Sequence, residues 1–159
     1  MSITGHFGAS VGLVMLLGAV DVAYAQKPPS NSLVTATRID CVFPLLATGT
    51  WTSGEPRAEV KPAKLSFAVD SINTQESTAR AVGTFGPVEI IARLSSNTLH
   101  LLQVSNDGPM YMTTVFNKVT RDGKLQAVHT RHEYTEVVLP GFTSRPEQYY
   151  GECTVKQQA

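Results

Sequence analysis

The sequence predicts an all-β protein, a single antiparallel meander β-barrel of about eight strands that follows a cleaved signal peptide. Three observations predict this fold. Segments of about six to ten residues rich in Val, Ile, Thr, Phe and Tyr alternate with clusters of Gly, Asn, Asp and Ser. No stretch after residue 25 sustains the apolar spacing of an amphipathic helix. Two cysteines, Cys41 and Cys153, lie near the two ends of this β-rich region.

The first 25 residues are predicted to be an export signal. The uncharged apolar run from Val11 to Val20 is far shorter than the ~20 residues of a membrane span. Small residues, Ala23 and Ala25, lie three and one positions before Gln26, which is typical of a cleavage site. No Lys or Arg precedes the run, which departs from the usual basic start. We therefore expect a secreted or periplasmic protein that begins at Gln26.

Removing 25 of the 159 residues leaves 134, which is enough for one domain. Residues 26–32 contain two prolines and no apolar residue, a composition typical of a disordered leader. The predicted organisation is therefore a signal peptide at 1–25, a disordered leader at 26–32 and a single β-barrel domain at 33–159.

Four strands are predicted in the first half of the β region, at residues 37–43, 64–69, 78–84 and 88–94. The first two alternate apolar and polar residues, so that Cys41 and Phe67 each lie on an apolar face. The third is small and polar and has the weakest pattern. The fourth resumes an apolar run after the break at Gly86 and Pro87.

Four more strands follow, at residues 98–104, 110–116, 124–134 and 149–155. Most of the turns between them are short and carry Ser, Asn, Asp or Gly, so neighbours along the chain are expected to pair as antiparallel hairpins. Two longer segments, Pro44 to Pro62 and Glu136 to Gln148, each contain Gly and at least two Pro. They are predicted to be loops at the rims of the barrel.

The two cysteines are predicted to pair, because disulfides are the default state of cysteines in an exported protein. A Cys41–Cys153 bridge needs Cα atoms ~4.4–6.8 Å apart, so the last strand must return beside the first. Such closure removes both sheet edges, and a cross-link over about a hundred residues stabilises the fold by ~4–5 kcal/mol in the chain-entropy model. A two-sheet β-sandwich, which also brings terminal strands together, is the alternative.

The composition excludes several classes of partner. The chain has 13 basic and 13 acidic residues, and its basic residues are interspersed with acids. It therefore lacks the basic stripe of a nucleic-acid binder and the Lys/Arg cluster of a protein that binds anionic membranes. Neither a phosphate-binding glycine loop nor a set of convergent metal ligands is present, so no cofactor and no metal are expected.

No linear motif indicates catalysis. There is no Gly-x-Ser-x-Gly, and the carboxylates are scattered without the spacing of a glycosidase pair. Since acid–base groups can also converge in space without a linear motif, a hydrolase is kept as an alternative function.

Gly49, Thr50 and Trp51 contain the only tryptophan of the chain. This Gly-x-Trp resembles the one near the first strand of the lipocalin-type barrels, and these three residues are all that carries the resemblance. It implies an apolar-ligand carrier in which Trp51 closes one end of the cup. The alternative, which we favour, is that Trp51 packs as an end cap of an ordinary small core.

Residues 129–134 hold the densest group of functional side chains. Strand alternation sends His129 and Arg131 to one face and His132 to the other, so the two histidines cannot share a metal ion. His129 and Arg131 together are suited to a carboxylate or phosphate, and a solvated outer face is the alternative, which we favour. Tyr111 adds bulk to a methionine-containing hairpin that suits either a ligand or an irregular core.

These observations favour an exported non-enzymatic binding protein whose barrel holds one small apolar or amphipathic ligand. The predicted ligand contacts are Trp51, Tyr111, His129 and Arg131. A protein-interaction or inhibitor module of the envelope or medium is the main alternative. The filling of the barrel discriminates between them, because an interior packed with large side chains leaves the function to the outside. Phe67, Ile90, Leu101 and Phe116 are predicted to be large side chains that face the interior.

Overall fold

The computed structural model describes residues 33–83, 86–105, 108–132 and 146–157. Within them lie eight strands: β1 (Ala36–Thr52), β2 (Glu55–Asn73), β3 (Thr78–Gly83), β4 (Gly86–Ser95), β5 (Thr98–Val104), β6 (Met110–Val119), β7 (Leu125–His132) and β8 (Glu147–Gln157). The predicted signal peptide and leader, and most of the predicted loop from Glu136 to Gln148, lie outside the described residues.

The eight strands form one closed antiparallel barrel in which each strand pairs with the next along the chain and β8 pairs with β1. The predicted all-β meander and its closure are therefore confirmed. Two ends can be distinguished. We call the end with the β1–β2, β3–β4, β5–β6 and β7–β8 connections the mouth, and the opposite end, where β1 begins and β8 finishes, the closed end.

The seam between β1 and β8 carries the predicted disulfide. Cys41 and Cys153 lie directly opposite each other in the ladder, with their Cα atoms 4.1 Å apart, and form a disulfide across 112 positions of sequence. A structural disulfide is compatible with the oxidising compartment that the predicted export signal implies.

The core occupies the closed end and the middle of the barrel. Its largest fully buried side chains are Phe43, Ile39, Leu99, Val69 and Val115. Of the four residues expected to fill the interior, Ile90 and Leu101 are buried and Phe67 packs against the core while partly exposed. Phe116 was wrongly placed, because it neighbours the inward Val115 and therefore lies on the outer wall.

The predicted loop from Pro44 to Pro62 is instead a paired hairpin, which we call the arm. β1 and β2 stay in register from Leu45 opposite Pro62 to Thr52 opposite Glu55. Ser53 and Gly54 turn the chain with φ values of 54° and 82°, as a two-residue hairpin turn with two left-handed residues requires. The prediction failed because Gly and Pro content was taken as evidence against strands.

Gly151 of β8 is needed where β1 has a register irregularity between Val42 and Leu45. A Cβ added at Gly151 would lie 2.0 Å from the carbonyl oxygen of Val42 and 2.9 Å from the Phe43 ring. The absence of a side chain therefore lets β1 approach β8 closely and lets the Phe43 ring cover the core.

No helix long and apolar enough to cross a membrane occurs among the residues that the structure describes.

Candidate ligand-binding site

One row of inward-facing polar residues crosses five strands at the mouth. The register pairs Gln103 with Tyr111, Tyr111 with Arg131, Arg131 with Glu147, and Glu147 with Thr48. Directly opposite residues of an antiparallel pair lie on the same face of the sheet. Thr48 and Glu147 are buried, so this face is the interior one. We call these five residues the polar row.

A second row lies one layer deeper. It consists of Leu101, Thr113, His129, Tyr149 and Leu46, again paired strand by strand. All five side chains are buried. The layer below it, which includes Leu99, Val115 and Ala127, is wholly apolar. The interior therefore changes from polar to apolar with depth.

The opposite wall of the mouth is apolar. Leu65 and Phe67 lie on the same face of β2 as the buried Val69, and both pack against the core while remaining partly exposed. Val88 pairs with Ala81, two residues above the buried Ile90, and is 45% exposed although it lies on the interior face. We call Leu65, Phe67, Ala81 and Val88 the apolar wall.

The apolar wall borders a gap in the ladder. Among the described residues, β3 pairs with β2 only between Ala68 and Asn73. The β2 residues from Glu55 to Phe67 therefore have no strand neighbour on that side within the described part of the chain. Among the described residues no strand covers this side of Leu65 and Phe67, which agrees with their partial exposure.

Arg131 lies at the centre of the polar row with its side chain 29% exposed. Its guanidinium carbon lies 5.3 Å from the ring centroid of Tyr149 and 6.0 Å from that of Tyr111. Contact with aromatic rings is favourable for a guanidinium and restricts its orientation. Arg131 Nη1 lies 3.9 Å from Glu147 Oε2. Its Nε is buried and has no hydrogen-bond partner among the described residues.

Glu147, the cross-strand neighbour of Arg131, is held in place by Tyr149. The Tyr149 hydroxyl donates to Glu147 Oε2 over 2.6 Å. Burial, together with this hydrogen bond, raises the pKa of Tyr149 to about 12, so the phenol stays a donor at neutral pH. Thr48 Oγ1 donates to the carbonyl of Pro146 over 3.4 Å and ties the start of β8 to β1.

His129 forms the floor of the mouth. Its ring centroid lies 5.1 Å from Phe67, 5.8 Å from Phe43 and 6.0 Å from Tyr149. Its Nδ1 is 2.9 Å from the Thr113 hydroxyl. Burial, and secondarily the charge of Arg131, lowers the pKa of His129 to about 4. His129 is therefore neutral at pH 7 and contributes a hydrogen-bonded ring to the floor.

The structure brings together three of the four predicted ligand residues: Tyr111, His129 and Arg131. The alternative that His129 lies on a solvated outer face is wrong, since it faces the interior and is buried. Trp51 is not with them. It lies near the tip of the arm opposite Pro56 and is 64% exposed, so it is not an end cap of the core.

Sequence analysis missed the other half of the site. Glu147 and Tyr149 lie on the same face of β8 as Cys153, but the predicted strand began at Tyr149 and left Glu147 in a loop. Continuing the alternation back from Cys153 reaches Tyr149 in two steps and Glu147 in a third. Nothing in the sequence places Phe67 beside His129, because that contact crosses the barrel.

Thr113 and His129 have the spacing of a nucleophile and its base, but both are buried, so a substrate has no access to the pair. Within the described ranges no group of three or more His, Cys, Asp or Glu residues is placed to hold a metal ion.

A shallow groove of about 500 Å³ also lies on the outer wall, over β3, β4 and the end of β5. Its one cationic side chain, Arg80, is paired with Asp70 over 2.9 Å.

No protein family, curated protein or solved structure matches this chain.

Proposed function

We propose that this is an exported, non-enzymatic binding protein that holds a small amphipathic ligand at the mouth of its barrel. The observation that carries the proposal is that two walls of different chemistry, one apolar and one polar, face each other across the mouth. The apolar wall faces a polar row that includes a partly exposed arginine, and His129 and Phe43 lie between and below them. Export rests on the predicted signal at 1–25 and is supported by the disulfide.

Two features of the mouth favour a small ligand. Phe43, Leu99 and Val115 are fully buried beneath it, so a bound molecule stays in the upper half of the barrel. Val88 is inward-facing yet 45% exposed, and Phe67 is partly exposed, which leaves apolar surface without a protein partner among the described residues. Covering such surface is the main source of affinity for an apolar group.

The test uses a matched pair of valine substitutions. Val88 faces the mouth and Val104 lies on the outer wall of β5, and both are exposed. The probe is 1-anilinonaphthalene-8-sulfonate, a small amphipathic anion that fluoresces in apolar surroundings. We expect Val88→Ser to weaken its saturable binding about five-fold or more, and Val104→Ser to change it less than about two-fold.

Native mass spectrometry of protein isolated gently from its own compartment is expected to show a bound small molecule. The proposal fails if the probe does not saturate, or if the two serine variants weaken it equally.

A second function, a protein-interaction module, is favoured by the arm. Its outer face carries no charge on either strand: Leu45, Ala47, Gly49 and Trp51 of β1 lie opposite Pro62, Val60, Ala58 and Pro56 of β2. The other face carries Arg57, Glu59 and Lys61. Exposed apolar surface of this extent on a soluble protein is typical of a contact site.

The two functions can be separated by variants of opposite arm faces. If a partner protein docks on the apolar face, a Trp51→Ser/Val60→Ser double variant abolishes cross-linking to that partner and leaves probe binding at the mouth unchanged. An Arg57→Ser/Glu59→Ser double variant, on the charged face, is the control and is expected to keep the partner. Equal cross-linking by all three proteins excludes the arm as the contact.

A further inference from the structure

Arg131 is an unusual group for the inside of a barrel, because it is held in place yet has few acceptors. A guanidinium has five N–H donors in a planar fork. Its recorded ion pair with Glu147 spans 3.9 Å, which is beyond hydrogen-bond range. Its Nε is buried and unpartnered within the described residues. Since the side chain is 29% exposed, its solvent-facing N–H donors are accessible to a ligand.

Glu147 does not satisfy these donors. It is buried beside Arg131 in the same row, and its Oε2 accepts the short hydrogen bond from the Tyr149 hydroxyl. The guanidinium carbon also lies within 6.0 Å of the ring centroids of Tyr111 and Tyr149, and these contacts restrict its orientation. The side chain is thus ordered before a ligand arrives, and less conformational entropy is lost on binding.

Resting on the proposed function, we infer that the ligand is a compact aromatic monocarboxylate, with its carboxylate on Arg131 and its ring against Phe67 and Leu65. A planar carboxylate matches the guanidinium fork in a bidentate pair. A dianion such as a phosphate monoester is disfavoured, because the Glu147 carboxylate lies 3.9 Å from the guanidinium and repels a second negative charge there.

The aromatic side chains around Arg131 favour a ring as the apolar part of the ligand. The rings of Phe67 and His129 lie 5.1 Å apart, and Tyr111 is parallel to His129 within 4°. A further ring packed on this group gains the edge and offset contacts that aromatic pairs prefer. The packed layer at Phe43 sets the depth, so a long chain has no room to descend.

The test is calorimetric titration with three probes that share a phenyl ring on a three-carbon chain and differ in the head group: 3-phenylpropanoate, 3-phenylpropan-1-ol and 3-phenylpropyl phosphate. The wild-type protein is expected to bind the carboxylate about 10- to 100-fold more tightly than the alcohol, and more tightly than the phosphate. In Arg131→Gln the preference for the carboxylate is expected to disappear while the alcohol still binds. Arg93→Gln, an exposed arginine on the outer wall of β4, is the matched control.

Arg131→Lys keeps the charge but loses the fork, and we expect an intermediate affinity for the carboxylate. If the alcohol binds as tightly as the carboxylate, the head-group inference is overturned and the proposed function stands. Tighter binding of the phosphate overturns the argument from Glu147. If both Arg131 variants lose affinity equally for the carboxylate and the alcohol, Arg131 has only a structural role. If none of the three probes binds and the fluorescent probe also fails to saturate, the proposed function fails as well.

Discussion

The mouth and the closed end of this barrel are built from the same strands but differ in chemistry. Along β7 the inward positions are Leu125, Ala127, His129 and Arg131, which pass from apolar and buried to charged and partly exposed. β8 repeats the change in polarity from Cys153 through Tyr149 to Glu147, although Glu147 is buried. The proposed binding site lies at the mouth, so substitutions toward the closed end should lower stability and leave ligand binding unchanged.

The largest effect is expected from the disulfide of the seam. A Cys41→Ala/Cys153→Ala variant removes the cross-link between two residues 112 positions apart, so its unfolded chain has more conformational entropy. The variant is expected to lose about 4 kcal/mol of unfolding free energy. Urea denaturation checks this, and probe binding by the folded variant is expected to stay near the wild-type value. A loss below about 1 kcal/mol, or a parallel loss of binding, would contradict the separation of the two ends.

The next effect is a pH dependence that originates at the mouth. The pKa of His129 falls from 6.5 to about 4 on folding, so between these values the unfolded chain binds more protons than the folded one. Stability is therefore lost as pH falls from about 6.5 to about 4, by about 3 kcal/mol in total. Urea midpoints across this range measure the slope.

The control for this slope is His129→Gln, which is expected to flatten it above about pH 5. Asp40, Asp70 and Glu152 also have lowered pKa values, but their ordinary values of 3.8 and 4.5 place their contribution at the acid end of the range. An unchanged slope in His129→Gln would refute a buried neutral histidine.

A smaller effect is expected at Gly151. Gly151→Ala forces a Cβ against the backbone oxygen of Val42 and is expected to cost about 1–3 kcal/mol, because neither strand can move without breaking the seam. Gly49→Ala is the matched control, since nothing lies within 4 Å of a Cβ added there. Thermal denaturation of both variants checks the contrast. Equal melting temperatures would show that β1 and β8 adjust freely.

The smallest effect is expected at the arm. Trp51→Ser is expected to change the unfolding free energy by less than about 0.5 kcal/mol, because Trp51 is 64% exposed. Ligand binding at the mouth should also leave the fluorescence of Trp51 in the wild-type protein unchanged. A clear quench on binding would mean that the arm folds over the mouth, and the division between the two regions would need revision.

The strands and their closure could be predicted because each depends on local signals. Alternation set the faces of most strands, Ser, Asn and Gly marked several turns, and the cysteine pair required the last strand to meet the first. The arm could not be predicted in this way. Pro44 lies at the β1 irregularity, and Pro62 lies where β2 has no described neighbour on its other side, so neither proline breaks a ladder.

The site was only half predictable for a similar reason. Tyr111 and Arg131 were singled out by residue type, and their pairing follows from register. A buried Glu147 has no signature of its own, because a carboxylate is buried only when partners are placed to receive it, here Tyr149 on the same strand and Arg131 on the neighbouring one. Such convergence depends on the number of strands and on how they close, which one sequence does not state.

The pairing of β1 with β8 places the two ends of the described barrel side by side, with Ala36 opposite Gln157 at the closed end. A protein immobilised through either end would therefore hold its mouth away from the support. The same adjacency allows circular permutation: a short linker would join the old ends, and new ends could open in the β4–β5 turn at Ser96 and Asn97. Because that turn also lies at the closed end, the permuted chain would keep every strand of the mouth intact.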